Sequence, residues 1–259
     1  MVELLLILAA AAAAAAALAG LGYLLVWFLL HGRRDGPGLG KAGGLSVRPP
    51  GPPRPRRAGE LLAAFRRAAE AGYGAELDVH LTADGYLAVI HDSDLARMCG
   101  VEGRVEDLTA LELGKLRLAG SGEPIPFLEQ VLPLFEGRGP LVVELKTAGG
   151  NHAALCARTL ECLDRFRADY CIESFDPRCL LWLRQNRPEA AGQLTQDFLR
   201  HGEAQPLRNR LTLTAMLCNG LTKPDFVACR YQDRGMLPLR CGGCGADGPP
   251  CGPSTRPAN

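Results

Sequence analysis

Residues 75–92, which read AELDVHLTADGYLAVIHD, combine the spacing of strands with charged side chains. Segments 75–82 and 86–92 carry apolar residues at the spacing of short strands, and the pair Asp84-Gly85 between them is typical of a turn. We therefore expect two short strands that follow one another in the chain, with carboxylates and a histidine set among apolar neighbours.

Strands and helices alternate along the chain on both sides of this stretch. The apolar periodicity predicts helices at 60–71, 108–118, 126–135, 152–168 and 177–186, and further strands at 140–147, 170–176, 192–195 and 225–229. Alternation of this kind predicts a parallel α/β sheet, and this many units in one domain indicate a (β/α)8 TIM-barrel-like domain. In such barrels the functional residues gather at the carboxyl ends of the strands.

Two predicted strands carry pairs of charged residues two positions apart. Glu76 and Asp78 leave one face of the first strand, and Glu144 and Lys146 leave one face of the strand at 140–147. Carboxylates gathered at one end of a barrel repel one another, and a divalent cation resolves that repulsion. Oxygen ligands favour Mg²⁺ or Ca²⁺. Lys146 beside such a cation would suit a phosphate.

A histidine ends the second strand, and both it and the charged pairs also have purely structural interpretations. His91 is placed to serve as a general acid or base near neutral pH. Paired acids on a strand are often only its solvated face, Lys146 could be an ion-pair partner of Glu144, and a histidine at a strand end is often a capping residue. We interpret His80 as uninvolved in the chemistry.

The start of the chain has the composition of a membrane anchor. No charged residue occurs from Leu4 to Leu30, and about 20 apolar residues suffice to cross a bilayer. A cleaved signal peptide is the alternative, but the first residues have no Lys or Arg and the apolar run exceeds a usual signal sequence. Trp27 suits an interfacial position, and Arg33 and Arg34 predict that the C-terminal domain is cytoplasmic.

The rest of the composition divides the chain into four parts. We expect an anchor at 1–30, a Gly/Pro/Arg-rich linker at 31–59, the barrel at 60–235 and an irregular tail at 236–259. A formal net charge of +1 with no strongly basic half argues against nucleic acid as a partner. The tail contains one CxxC pair, Cys241 and Cys244, without a second pair or a histidine, which is weak evidence for zinc.

The chain resembles the glycerophosphodiester phosphodiesterases over about two thirds of its length, from Ala63 to Arg234. The segments that carry the resemblance are AAFRRAAEAGYGAELDVHLTADGYLAVIHDSDL, GRVEDLTALEL, IPFLEQVLPL, PLVVELK, IESFDPRCLLWLRQNRPE and TKPDFVACRYQDR. The series ExD, HD and ExK is specific to that family. The resemblance implies a TIM barrel with one divalent cation, which hydrolyses glycerophosphodiesters such as glycerophosphocholine, or lysophospholipids.

The resemblance also implies a role for each matching residue. It implies that the metal ligands are Glu76, Asp78 and Glu144. It further implies that His91 is one of two catalytic histidines, that Lys146 contacts the phosphate, and that Glu173 is a polar group of the substrate pocket. In such enzymes the metal polarises the phosphoryl oxygens and the histidines move protons.

Two motifs of the family are absent from this chain. The family begins with a strand that ends in HRG, followed by ENS or ENT, and it closes the barrel with a strand that carries WTV or WTI. Here the corresponding places hold SVRPPGPPRPRRAGELL, without a histidine, and RCGGCGADGPPCGPSTRPAN. We therefore expect a barrel that is incomplete at its first and last strands, which leaves sheet edges exposed and predicts poor folding and little activity.

We hypothesise that a frameshift accounts for both departures. Residues 49–62 can be encoded by codons that, read one base later, give HRGLHDPAGPENSL, which contains the absent HRG and ENS. Residues 240–254 can be encoded so that a frame two bases in gives LRRLWGGWAAVWTV, which contains the absent WTV. On this hypothesis the Pro/Arg linker from Pro49 and the CxxC pair are out-of-frame translation.

Two other functions remain open from the sequence. The chain could be a membrane-tethered pseudoenzyme that keeps its acidic metal site and binds phosphodiesters without cleaving them. Alternatively, the Pro/Arg segment could recruit a partner as a polyproline helix.

The frameshift hypothesis predicts a result at the level of the gene. Resequencing codons 45–65 and 235–259 should reveal a missed or added base in each region, which restores HRG and WTV. Unchanged bases in both regions would make the linker and tail genuine and would contradict the hypothesis.

Overall fold

The computed structural model describes residues 14–25, 61–187, 191–196, 198–201, 206–229, 231–233 and 235–237. The whole predicted linker at 31–59 and the tail from 238 onward, with its CxxC pair, lie outside these residues. Residues 14–25 are helical. Within the described parts of the chain, no helix is long and apolar enough to span a bilayer. The predicted anchor at 1–30 lies only partly within them.

Six strands form one sheet in the described residues. The strands are Ala75–Leu81 (β1), Leu87–Val89 (β2), Leu141–Leu145 (β3), Tyr170–Ser174 (β4), Ala191–Thr195 (β5) and Phe226–Cys229 (β6). Their order is β2-β1-β3-β4-β5-β6. The β1–β2 pair is a hairpin with antiparallel strands, and every other neighbouring pair is parallel.

Helices connect the parallel strands, as the alternating pattern predicts. They are Leu62–Glu70 (α1), Leu95–Cys99 (α2), Ala110–Leu113 (α3), Leu128–Phe135 (α4), His152–Leu163 (α5), Pro177–Asn186 (α6), Phe198–His201 (α7), Leu207–Thr214 (α8) and Asn219–Thr222 (α9). Short 3-10 turns occupy Val105–Asp107 and Tyr231–Asp233. The α/β class is therefore confirmed, with parallel strands connected by helices.

Local sequence signals set the ends of several helices. Asp176 accepts a hydrogen bond from the backbone N–H of Arg178 and is followed by Pro177 at the first helical position, so α6 begins where predicted. Thr109 and Glu112 form a capping box at the start of α3. The predicted helix at 108–118 is wrong in length, because α3 ends after a single turn at Gly114.

The main hydrophobic core lies on one face of the sheet. Strand residues that point to this face pack against α1, α4, α5 and α6, and they include Leu77, Val79, Leu141, Val143, Leu145 and Ile172. A second core, which includes Ile90, Leu95 and Leu113, lies beneath the segment between β2 and α4. Because side chains alternate along a strand, the polar residues between these core positions point to the opposite face.

The described part of the sheet has edges at β2 and β6. The segments 49–60 and 238–259, which hold the places of the absent HRG and WTV motifs, fall outside the described residues. The predicted loss of the first and last strands of the barrel therefore stays a prediction.

Candidate metal centre

Parallel pairing brings three carboxylates into one row across the sheet. Asp78 of β1 is in register with Glu144 of β3, and Glu144 is in register with Glu173 of β4. Neighbouring strands are only ~4.8 Å apart, so residues in register stand side by side on the same face. Glu76 lies two residues before Asp78 on that face of β1. Four acidic residues therefore converge on the face opposite the main core.

Three of these acids are close enough to share one cation. Glu76, Glu144 and Glu173 each offer a carboxylate oxygen, and these oxygens lie within 4.8 Å of one another. Glu144 and Glu173 are buried, whereas Glu76 is exposed. The Oε2 atom of Glu173 is buried and has no hydrogen-bond partner among the described residues. A buried oxygen without a donor, beside two further carboxylates, fits a hard divalent cation.

Lys146 supplies the positive charge nearest to this row. Its Nζ atom lies 2.5 Å from Oε1 of Glu144 and 3.0 Å from Oδ1 of Asp78. It also lies 5.9 Å from the centroid of the Phe175 ring. The prediction that Lys146 could pair with Glu144 is confirmed. The ammonium group therefore bridges two of the four carboxylates.

The crowding of acids shifts their protonation. Burial raises the pKa of Glu173 well above its ordinary value, and the negative charges of Glu76 and Glu144 raise it further. Burial also raises the pKa of Glu144, against the opposing charge of Lys146. The pKa of Glu76 is raised first by lost hydration and then by Asp78. Burial alone would lower the pKa of Lys146, but Asp78 and Glu144 raise it on balance. The acids thus resist being ionised together.

His91 stands just beyond β2 with its side chain 57% exposed. Its Nδ1 atom lies 2.6 Å from Oδ1 of Asp92, and the other oxygen of Asp92 accepts a hydrogen bond from Arg97 of α2. Hydrogen bonds from Arg97 and His91 lower the pKa of Asp92 to about 2. A proton held on Nδ1 by this carboxylate leaves Nε2 as the basic nitrogen.

His80, interpreted from sequence as uninvolved, is buried beneath the residues that follow β2. Its Nδ1 atom lies 2.7 Å from Oε1 of Glu106, and its Nε2 atom lies 3.4 Å from the carbonyl oxygen of His91. Although burial opposes the change, hydrogen bonds from His80 and Ser93 lower the pKa of Glu106 to about 2. A carboxylate thus partners this histidine as well.

The structure groups the predicted residues differently from the sequence. Glu173 was expected as a substrate contact, but its carboxylate lies with those of Glu76 and Glu144. Asp78 is joined to Glu144 through the ammonium group of Lys146. Their roles as ligands or substrate contacts stay predictions.

Two residues beside the histidines have no role assigned from the sequence. Asp92 is the second residue of the HD motif, and its adjacency to a histidine at a strand end is a usable signal. Glu106 stands 26 residues from His80, and no spacing rule connects a strand to a turn at that distance. Only the packing of the segment after β2 reveals that pair.

The chain is similar to known proteins in sequence and in structure. The model of the glycerophosphoryl diester phosphodiesterase family matches residues 60–221, which is more than half of the chain. A glycerophosphodiester phosphodiesterase of Caldanaerobacter subterraneus is 45% identical over 95 residues, which cover 33% of this chain and 39% of that relative. In a glycerophosphodiester phosphodiesterase of Bacillus altitudinis, the match covers 48% of the relative's length. The chain therefore spans less than half the length of both relatives.

Solved structures show the same fold. A glycerophosphodiester phosphodiesterase from Parabacteroides distasonis is 25% identical, with a TM-score of 0.54 over 73% of this chain and 76% of that one. A phosphodiesterase from Oleispira antarctica, solved in complex with the product sn-glycerol-3-phosphate, is 21% identical with a TM-score of 0.55. That match covers 68% of this chain and 73% of that one.

The raised pKa of Glu173 predicts how stability depends on pH in the metal-free protein. The folded carboxyl group keeps its proton to a higher pH than the unfolded one, whose ordinary value is near 4.5. The folded state therefore loses stability as the pH rises from that value toward the folded pKa. The side chain of Glu173→Gln cannot ionise. Above pH 5 we therefore expect the free energy of unfolding of this variant to exceed that of the parent by more than ~0.5 kcal/mol, which is the usual range for surface substitutions.

Urea denaturation between pH 4 and pH 8 in the presence of a chelator measures this difference. Glu161→Gln is the matched control, because Glu161 is an exposed acid of α5 that pairs with Arg158. Parallel stability curves for the parent and Glu173→Gln would show that the Glu173 carboxyl group is not protonated by its surroundings.

Lys146 should compete with a divalent cation for the same carboxylates. Lys146→Met removes the ammonium group that bridges Asp78 and Glu144. We expect affinity for Mg²⁺ or Ca²⁺ to rise about tenfold, which corresponds to ~1.4 kcal/mol of lost competition. Isothermal titration calorimetry measures the cation affinity. Lys115→Met is the control, because Lys115 is an exposed lysine. Unchanged or weaker binding by Lys146→Met would contradict the competition.

Proposed function

The chain belongs to the glycerophosphoryl diester phosphodiesterase family, and from this we propose that it is a metal-dependent phosphodiester hydrolase. Its substrates are glycerophosphodiesters or lysophospholipids. Water adds to the phosphorus atom and the bond from phosphorus to the alcohol oxygen breaks, which yields a product of the glycerol-3-phosphate type and a free alcohol. The observation that carries the proposal is the row of Asp78, Glu144 and Glu173 in register on one sheet face.

The acidic residues are proposed to hold one Mg²⁺ or Ca²⁺ ion. Glu76, Asp78 and Glu144 are the ligands that the family pattern implies, and Glu173 adds a fourth carboxylate whose Oε2 atom has no hydrogen-bond partner among the described residues. Bound there, the cation would supply polarisation of the phosphoryl oxygens. The protein side of this arrangement is a set of carboxylate oxygens on strands that are fixed in register, and the cation would displace the ammonium group of Lys146 from Asp78 and Glu144.

His91 is proposed to move the protons of the reaction. Asp92 holds Nδ1 of the imidazole at 2.6 Å, so Nε2 is the atom that accepts a proton from water or donates one to the leaving alcohol oxygen. Asp92 stays ionised at neutral pH because its pKa is about 2. A permanently charged carboxylate both orients the ring and stabilises the imidazolium form.

Lys146 is proposed to contact the phosphate group of the substrate. Its ammonium group already lies among the acidic side chains, at 2.5 Å from Oε1 of Glu144. A phosphodiester brings its own negative charge to this region. Lys146 would then bind phosphate oxygens while the acidic residues bind the cation, so that opposite charges remain matched across the site.

A second candidate function is that of a phosphodiester-binding pseudoenzyme. The segment 49–60 contains no histidine, so the position of the family's first catalytic histidine is not filled in the sequence. Proton transfer that needs two histidines would then lack one partner, while the carboxylates keep their capacity to bind a cation. On this candidate, the protein binds its ligand without turnover.

Location completes the proposal. The uncharged run from Leu4 to Leu30 is proposed to anchor the protein in a membrane, with Arg33 and Arg34 on the cytoplasmic side. A single-pass anchor would keep the domain near lipid-derived substrates. Nucleic acid is not proposed as a partner, because the net charge of +1 gives no basic surface by composition.

The proposed hydrolysis predicts a cation-dependent activity of the full chain in detergent micelles. Release of choline from glycerophosphocholine should require Mg²⁺ or Ca²⁺ and should stop on chelation. Glu76→Ala should abolish turnover by weakening the cation site. His91→Asn should lower kcat by roughly 10²- to 10⁴-fold, the range for loss of a general acid or base.

Glu70→Ala serves as the control, because Glu70 is an exposed acid at the end of α1. It should leave the rate unchanged. Calorimetric binding of the cation without any choline release would reject hydrolysis and favour the pseudoenzyme. Neither binding nor release would reject both candidates.

A further inference from the structure

A buried imidazole lies directly beneath the residues that carry His91. His80 ends the row of polar positions on β1 and is only 3% exposed. Its Nδ1 atom lies 2.7 Å from Oε1 of Glu106, and its Nε2 atom faces the carbonyl oxygen of His91 at 3.4 Å. One ring thus connects the 3-10 turn at 105–107 to the backbone of the residue proposed to move protons.

Glu106 extends the connection to the other end of the same segment. Its second oxygen, Oε2, accepts a hydrogen bond of 2.5 Å from the hydroxyl group of Ser93. We call residues 91–94 the 91–94 loop. The single carboxylate of Glu106 therefore binds the loop twice, once directly at Ser93 and once through His80 at His91.

Backbone hydrogen bonds hold both ends of the 91–94 loop in place. The N–H of Ile90 donates to the carbonyl oxygen of Asp78 at 3.0 Å, and the N–H of Val105 donates to the carbonyl oxygen of Ser93 at 2.9 Å. Between these two bonds, the carbonyl of His91 is contacted from below by the His80 ring. The buried imidazole therefore adds a side-chain contact at His91, the first residue of the loop.

The contacts that orient the ring of His91 come from its own loop and from α2. The side chain is 57% exposed, and its ring is contacted by Asp92 of the same loop and by Arg97 of α2. The N–H of Ile90, the residue before His91, donates to the carbonyl oxygen of Asp78, so the backbone of His91 lies beside the strand that carries Glu76 and Asp78. Where the ring stands relative to the acidic residues is therefore set by the backbone of the 91–94 loop.

We propose that His80, Glu106 and Ser93 form a positioning unit that fixes the backbone of His91 and so places its Nε2 atom at the acidic site. This inference rests on the proposed function, because it assigns to the unit the placement of a proton-transfer group. His80 is a positioning residue and not a catalytic one, since it acts through His91. A small displacement of a catalytic group lowers the rate roughly 10²-fold. Loss of the support from His80 should therefore lower kcat.

The alternative is that the buried pair of His80 and Glu106 only stabilises the fold. If the pair is merely structural, its loss should lower the free energy of unfolding. The position of the His91 ring and the turnover rate of the folded molecules should then stay unchanged. The two nitrogen atoms of His80 have different partners, so variants that keep one or the other can distinguish these two interpretations. The Nδ1 atom faces Glu106, and the Nε2 atom faces His91.

A matched pair of variants tests the proposal. His80→Asn keeps a polar atom near the position of Nδ1 but loses the one at Nε2, whereas His80→Gln keeps one near Nε2. With glycerophosphocholine and the cation, His80→Asn should lower kcat about tenfold or more with KM changed less than about twofold, and His80→Gln should recover most of the rate. Equal losses for both variants, or no loss for His80→Asn, would overturn the proposal.

A second measurement does not depend on turnover. In the full chain labelled with ¹⁵N-histidine, the imidazole signals of His91 are assigned by their loss in His91→Gln. The proposal expects one Nδ1-protonated form in the parent and in His80→Gln, and mixed or broadened signals in His80→Asn. Unchanged His91 signals in His80→Asn would overturn it even if the protein hydrolyses nothing.

Ser93→Ala provides the check if His80 variants do not fold. It removes one hydroxyl group from a partly exposed position, and with it the direct bond to Glu106. The His91 signals should broaden in this variant while its cation affinity stays within about twofold of the parent. Absence of turnover in the parent rejects the proposed function alone. Unchanged His91 signals in Ser93→Ala, together with folded protein, would reject the positioning unit.

Discussion

The register between parallel strands is the constraint on which the site depends. Pairing of β1 with β3 and of β3 with β4 puts Asp78, Glu144 and Glu173 in one row. The same alternation that sends Leu77, Val143 and Ile172 into the core sends these acids to the opposite face. A shift by one residue would exchange the two sets. The hydrophobic core therefore fixes the acidic cluster, although it contributes no ligand.

Close carboxylates need compensation, and the protein supplies it in two ways. Lys146 contacts Asp78 and Glu144 with one ammonium group. Glu173 is instead pushed toward its protonated form by burial and by its acidic neighbours. A carboxylate cluster that is partly neutralised by a lysine and partly by protons is prepared to accept a divalent cation, because the cation replaces both sources of positive charge.

The two histidines near the site use one chemical arrangement in different surroundings. Each has a carboxylate at Nδ1, Asp92 for His91 and Glu106 for His80. Burial distinguishes them, since His91 is open to solvent and His80 is enclosed. An exposed imidazole with an oriented ring is suited to exchange protons with a substrate. An enclosed imidazole that contacts backbone is suited to hold another residue in place.

Apolar periodicity and local motifs were sufficient to predict the alternation of strands and helices, the strands that carry the acids, and the family. These patterns could not reveal that Glu173 joins the carboxylate cluster or that His80 and Glu106 contact the 91–94 loop. Those facts depend on which strands become neighbours, in which register, and on how the segment after β2 folds back. His80 contacts His91 across 11 positions, Ser93 contacts Glu106 across 13, and His80 contacts Glu106 across 26. Separations of this length leave no local pattern, so these contacts follow from tertiary packing.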